Sequence, residues 1–295
     1  NTVKKGKIIL HDLGDAKNVE RFRKGQKVNI KIDRKRRLQI TLHHTGVHLI
    51  NACAREVLGN HIWQAGAYKD EKKGQIDITH YKRLTDDELY KIERLANQYI
   101  REELKIRIKE MTRTEAEQKY GMRIYQGGAV PGRRLRIVSI GEIDHEACGG
   151  THHNIDNLGR LGFLKITGRE NVKDGVERII FKCGDEAVRY VQQREEMLKE
   201  TARELSIPEN QLKETVLKFF DEWKERGKLI DKLLERIASA EVEDILKEYE
   251  KQKRPILKVL DVSREILIKI AQRINRSDTD VEVILINKQK DLVCA

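Results

Sequence analysis

Two short motifs, far apart in the chain, constrain its fold more than any other feature. His44-Thr45-Gly46-Val47-His48 supplies two imidazoles four residues apart, and Cys148-Gly149-Gly150-Thr151-His152 supplies a thiol and a third imidazole at the same spacing. On a helix, a four-residue step places two side chains on one face, one turn apart. In the second motif two glycines let the backbone turn sharply and approach another group closely. Imidazole and thiolate donors taken two by two make a zinc ligand set. A chain that uses them together must bring a helix near residue 45 against a glycine loop near residue 150. Each pair alone has an ordinary reading. Histidine is tolerated on helix faces, and a Cys near a His is commonly a buried thiol beside an exposed ring. His43 reads as a surface residue or a support behind the ligands, and Cys53 and Cys183 read as core residues.

The surrounding pattern predicts an α+β fold. Lys7–Leu10, Val28–Ile32 and Leu38–Leu42 alternate apolar and polar residues, punctuated by Gly6, Gly14 and Gly25. They read as a small N-terminal β-barrel-like unit over 1–42. Residues 44–58 read as a helix stopped by Gly59. Strands are expected near 61–68 and 75–80, then a helix over Asp86–Leu104 with Thr85 as its N-cap. Further strands are expected at 135–140, 163–167 and 176–181, the last two joined by the turn-prone Lys173-Asp174-Gly175. These elements make a mixed α/β, zinc-containing domain over 43–184. A helical arm follows over 185–254, broken at Ser206-Ile207-Pro208, with Pro208 in the first turn of the second helix. The apolar stripe from Leu212 to Val242 needs a partner helix, either the one at 185–205 or one from another subunit, and a hairpin within the chain is the first expectation. Residues 255–295 read as the start of an α/β module, with a strand at 256–261, a helix at 263–274 and a strand at 281–287. The chain starts at Asn1 and stops just after a strand, which is read as a piece of a longer protein.

Charge points to the partner. Lys and Arg number 59 against 48 Asp and Glu, a formal net charge of +11, so an anionic partner, and nucleic acid first, is expected. Arg133, Arg134 and Arg136 with Lys165, Arg169, Lys173 and Arg178 are the candidates for lining such a surface. No apolar run of about 18 residues exists to cross a membrane. Without a signal peptide, a cytoplasmic location is the expectation. Four scattered cysteines do not form a disulfide framework. There is no His-Glu-x-x-His, no phosphate loop and no nucleophile elbow, which argues against a metalloprotease, a P-loop NTPase and an α/β hydrolase.

The paired motifs, His-x-x-x-His followed at a distance by Cys-Gly-Gly-Thr-His, resemble the editing domain of alanyl-tRNA synthetases. The same domain occurs in free-standing trans-editing proteins and, more distantly, in threonyl-tRNA synthetases. Val57-Leu58-Gly59-Asn60-His61 running into Gln64-Ala65-Gly66 fits that family, as do Gly162–Ile166 and Asp174–Ile179. The resemblance covers about residues 1–185. The rest looks like the family's linker and C-terminal oligomerisation or tRNA-binding domain.

The resemblance implies zinc held by His44, His48, Cys148 and His152. It implies a catalytic setting of Gln64, His48 and Cys148, with substrate or tRNA contacts from Gln64, Gly149, Gly150, Thr151 and Arg178. The implied activity is deacylation of seryl- and glycyl-tRNA specific for alanine, within an alanine–tRNA ligase whose charging domain lies outside this chain. The implied partners are tRNA(Ala) and a second copy of the chain. Val47 and Ala67 stand where relatives often carry hydroxyl residues. A count of four protein ligands also fits a structural zinc in a tRNA-binding and oligomerisation module with no catalysis of its own.

Overall fold

The computed structural model describes residues 2–5, 8–11, 17, 20–152, 155–277, 281–288 and 292–294. Gly6 and Gly14 lie outside the described residues. The chain divides into two compact units, Asn1–Glu195 and Glu196–Ala295.

The first unit opens with an exposed antiparallel hairpin of β1 (Thr2–Lys5) and β2 (Ile8–His11). The expected barrel over 1–42 is not present: no closed barrel occurs among the described residues. Ile30 and Ile32 are exposed and lie in no strand. Leu38–Leu42 belongs instead to a helix, α1 (Arg34–Leu58). Five alternating residues cannot separate a strand from a helix flank. Here Asp33 decides, its side chain accepting a hydrogen bond from Arg36 N at 3.0 Å as an N-cap. Every residue of α1 from Thr41 to Ala54 is buried, so the helix is covered on all faces rather than lying amphipathically on the surface.

Seven strands and two helices enclose it. They are β3 (Gln64–Lys69), β4 (Gly74–Thr79), α2 (Asp86–Arg101), β5 (Ile106–Thr112), α3 (Arg113–Tyr120), β6 (Arg134–Ile140), β7 (Asp144–Ala147) and the long hairpin β8 (Leu164–Lys173) and β9 (Val176–Cys183). One antiparallel sheet has the order β3-β4-β9-β8 and another the order β5-β6-β7. Ile76, Ile78, Ile179 and Phe181 join Leu49, Ile50 and Cys53 in one core. Contact between α1 and the first sheet is close: a Cβ on Gly46 would lie 2.5 Å from Phe181 Cε2. Thr85 and Glu88 form a reciprocal capping box at the start of α2. The strand at 106–112 and the helix at 113–120 escape the sequence reading because charged and polar residues interrupt their apolar patterns.

The chain continues through α4 (Asp185–Glu204) into the second unit. Ser206 has a positive φ of 55°, and the break falls where the sequence put it. Pro208, however, precedes a single 3-10 turn at Glu209–Gln211 rather than sitting inside the next helix, α5 (Leu212–Gln252). The apolar stripe is exposed at Val216, Phe219, Trp223, Ile230 and Ile237, so it is not covered as the expected hairpin would cover it. Among the described residues, it is the end of α5 that packs, through Ala238, Val242 and Ile245. It packs on a β-α-β unit of β10 (Ile256–Leu260), α6 (Arg264–Ile274) and β11 (Val283–Asn287), with β10 and β11 parallel. A third strand, β12 (Leu292–Cys294), pairs antiparallel with β11.

Candidate metal centre

His44 and His48 lie on one side of α1, with ring centroids 5.5 Å apart, and His48 faces β7. The chain leaves β7 through Cys148, whose N–H still bonds Arg136 O at 3.0 Å. It then turns back over α1. Gly150 N donates to Cys148 Sγ at 3.3 Å, and a Cβ at Gly150 would stand 1.8 Å from His44 Cε1. Only glycine permits this approach.

The turn completes the cluster. His152 lies 4.4 Å from His44 and 4.8 Å from His48 between ring centroids. The ligand atoms of His44, His48, Cys148 and His152 all lie within 4.8 Å of one another.

Each imidazole is oriented through Nδ1. His48 Nδ1 lies 3.2 Å from both Asp144 Oδ2 and Glu146 Oε2. His152 Nδ1 lies 3.0 Å from Thr45 Oγ1. Thr151 sits against His44 Nδ1, with its N–H at 3.3 Å and its hydroxyl at 3.5 Å. The Nε2 atoms of His44 and His152 are thereby aimed at Cys148 Sγ, at 3.5 and 3.6 Å. Ligand atoms on a tetrahedral zinc are separated by about 3.5 Å for a nitrogen–sulfur pair, so the residues fit that ion.

Electrostatics suits three of the four donors, His44, His152 and Cys148, while His48 must give up a proton to bind a metal. Burial, with His48, Lys69 and Arg136 nearby, pushes His44 down to about 2, and burial with His48 and His44 lowers His152. Both rings are neutral at pH 7, as ligands must be. Burial opposes ionisation of Cys148, but hydrogen bonding to His48 and to Gly150 N outweighs it and lowers the thiol. Burial also opposes charge on His48, and the carboxylates of Glu146 and Asp144 overcome it and hold the ring well above its usual value.

A cavity of about 280 Å³ opens beside the cluster, lined by His44, His48, Cys148, Gly149, Gly150, Gln64, Lys69, Gln126 and Glu146, with Val47 and Ala67 as its apolar wall. Of the expected substrate residues, Gln64, Gly149 and Gly150 therefore gather at the cluster, and Thr151 touches His44. The arginines do not. Arg178 faces away from the core between Asp77, at 2.7 and 3.0 Å, and Glu170, at 3.3 Å. Arg133 and Arg134 are exposed at the start of β6. Lys165 is paired with Glu93 and Arg169 with Asp86. Arg136 alone of that set reaches the centre, donating to Cys148 O at 2.5 Å.

His43 is fully buried against Phe181, on the other side of α1 from the ligands, which corrects its surface reading. Cys53 and Cys183 are core residues, both completely buried. Sequence reasoning missed Asp144 and Glu146. Their signal was strand alternation, which puts 144, 146 and 148 on one face. Asn51, one helical turn past His48, also escaped notice. It donates to Glu146 Oε1 at 3.0 Å and to Gln126 Oε1 at 3.1 Å.

Comparison with known proteins agrees with this site. Residues 135–180 match the threonyl and alanyl tRNA synthetase second additional domain. The chain is 41% identical over its full length to the alanine–tRNA ligase of Pyrococcus furiosus, covering 32% of that protein. It is 43% identical over 85% of its length to the Thermococcus kodakarensis enzyme, and 45% identical over 81% to the Methanosarcina barkeri enzyme, covering 27% and 26% of them. It thus spans about a third or less of the length of the curated relatives it matches. Over that span the chain belongs to the alanyl-tRNA synthetase family and carries the second additional domain that alanyl and threonyl synthetases share.

Proposed function

We propose that this chain hydrolyses mischarged tRNA, releasing serine and glycine from tRNA specific for alanine. The observation that carries this reading is the meeting of His44, His48, Cys148 and His152 beside a cavity lined by Gln64. Zinc held by those four residues would supply a positive charge that stabilises developing negative charge on an ester carbonyl. The rest is done by the chain itself. Gln64 turns an amide into the cavity to orient the aminoacyl group. Val47 and Ala67 set an apolar wall beside the aminoacyl group. Lys69, on the cavity wall, favours the anionic RNA terminus. Gly149, where an added Cβ would meet nothing within 4 Å, leaves open space beside the cluster.

One observation favours a second reading. Four protein donors complete a tetrahedron, as in structural zinc sites, which supports a tRNA-binding and oligomerisation module without catalysis. The test is release of serine from seryl-tRNA specific for alanine, with zinc content measured in the same sample. Release that Cys148→Ala abolishes, with fold and tRNA binding retained, supports the deacylase. Zinc and tRNA binding without release supports the module.

A further inference from the structure

Gln64 opens β3, an edge strand of its sheet, and the pairing with β4 is irregular between Gln64 and Gly66. The backbone of the preceding Trp63 bonds inward to Thr79. The N–H and C=O of Gln64 point outward, where an edge strand has no neighbour. A loop supplies that neighbour. Gln64 N donates to the side-chain Oε1 of Gln126 at 2.9 Å, and Gly127 N donates to Gln64 O at 3.2 Å.

Gln126 is itself fixed on three sides. It is buried. Its Oε1 also accepts from Asn51 of α1 at 3.1 Å, and its Nε2 donates to Arg123 O at 3.0 Å. Asn51 donates in turn to Glu146, which lies 3.2 Å from His48. Gly127 completes the arrangement. Its φ is +77°, and a Cβ there would lie 2.6 Å from Gln64 Nε2. The loop therefore leaves space where the Gln64 side chain lies. Among the described residues, nothing hydrogen-bonds the side-chain amide of Gln64.

We propose that the loop Arg123–Gly128 is the seat of Gln64, with Gln126 a positioning residue that ties the edge strand to the helix bearing His44 and His48. Its role in turnover rests on the deacylase reading above. Gln126 touches no reacting atom. It fixes the main chain of Gln64 relative to the metal cluster, so that the free amide meets the aminoacyl group in one orientation. Asn51 makes the link rigid by bonding Gln126 and Glu146 with one amide nitrogen.

The test uses the whole chain with Gln126→Met, which keeps the side-chain volume and removes the acceptor, and with Gly127→Ala, which crowds the Gln64 amide. Hydrogen exchange at the Gln64 backbone N–H, zinc per chain, and kcat and KM for serine release are measured together. The expected result is faster exchange at Gln64 in Gln126→Met and kcat lower by about 10- to 100-fold in both variants, the scale of a misplaced catalytic group. KM and zinc content stay near wild type. Unchanged exchange at Gln64, unchanged kcat, or a loss of kcat that follows loss of zinc would each overturn the proposal. If the wild-type chain releases no serine, the deacylase reading fails, and exchange at Gln64 still decides whether Gln126 holds it.

Discussion

Asp144 Oδ2 lies 3.2 Å from His48 Nδ1, and both residues are almost completely buried. A carboxylate behind a ligating imidazole fixes its tautomer and raises its basicity, and removing such a partner costs about 10- to 100-fold in metal affinity. Asp144→Asn is therefore expected to weaken zinc binding by that factor while leaving the fold intact. Competition against a chelator of known affinity measures it. Unchanged affinity would mean that Glu146, at the same distance from the ring, is sufficient alone.

The two adjacent glycines of the second motif should differ sharply. A Cβ on Gly149 meets nothing within 4 Å, whereas one on Gly150 meets the His44 ring at 1.8 Å. Gly149→Ala should retain bound zinc, and Gly150→Ala should lose most of it by displacing His44. Metal analysis of the two purified variants, with thermal unfolding as a check on folding, reads this directly.

On the opposite side of α1, the contact with Phe181 should be equally intolerant. Gly46→Ala places a methyl 2.5 Å from Phe181 Cε2 and 2.9 Å from Cys183 Sγ. Overpacking of this kind costs about 1–3 kcal/mol. Phe181→Ala should cost more, about 3–5 kcal/mol, through the cavity it leaves. Chemical denaturation gives both numbers, and a neutral Gly46→Ala would show that the helix can move away from the sheet.

Glu88 provides a pH test remote from the metal centre. Burial disfavours its charge, but hydrogen bonds from Thr85 and Lys82 outweigh burial and hold it at about 2, below its ordinary value of 4.5. A carboxylate with a depressed folded value contributes stability above its unfolded value and loses it as pH falls through the folded one. Wild type should exceed Glu88→Gln in melting temperature at pH 6. The difference should shrink between pH 4.5 and 2. A difference independent of pH would place the effect in side-chain geometry rather than charge.

The residues that revealed themselves in the sequence did so through period or spacing. His44 and His48 share a helix face, Thr85 caps the helix that follows it, and Lys173-Asp174-Gly175 marks the turn between β8 and β9. Where the signal was only five residues of alternation, as at Leu38–Leu42, a single cap at Asp33 overrode it. The charged strand β5 and helix α3 carry too little apolar pattern to be seen. Gln126 left no trace because its role comes from long-range geometry: it meets Asn51 and Gln64 from positions 75 and 62 residues away. The pairing of Arg178 with Asp77 and Glu170 was not legible either, because both partners come from other strands of its sheet.

The burial of α1 on every face also dictates an order of events during synthesis. Its wall on one side includes Phe181 and Cys183, more than a hundred positions downstream. Until β9 has left the ribosome, the stretch from Thr41 to Ala54 has no lasting cover, and His44 and His48 have no fixed direction. The first motif must wait through most of the unit's translation for its partners. A nascent chain halted before residue 183 would hold all four donors without the scaffold that aims them, and its two histidine-bearing turns would be open to whichever chaperone or stray metal arrives first.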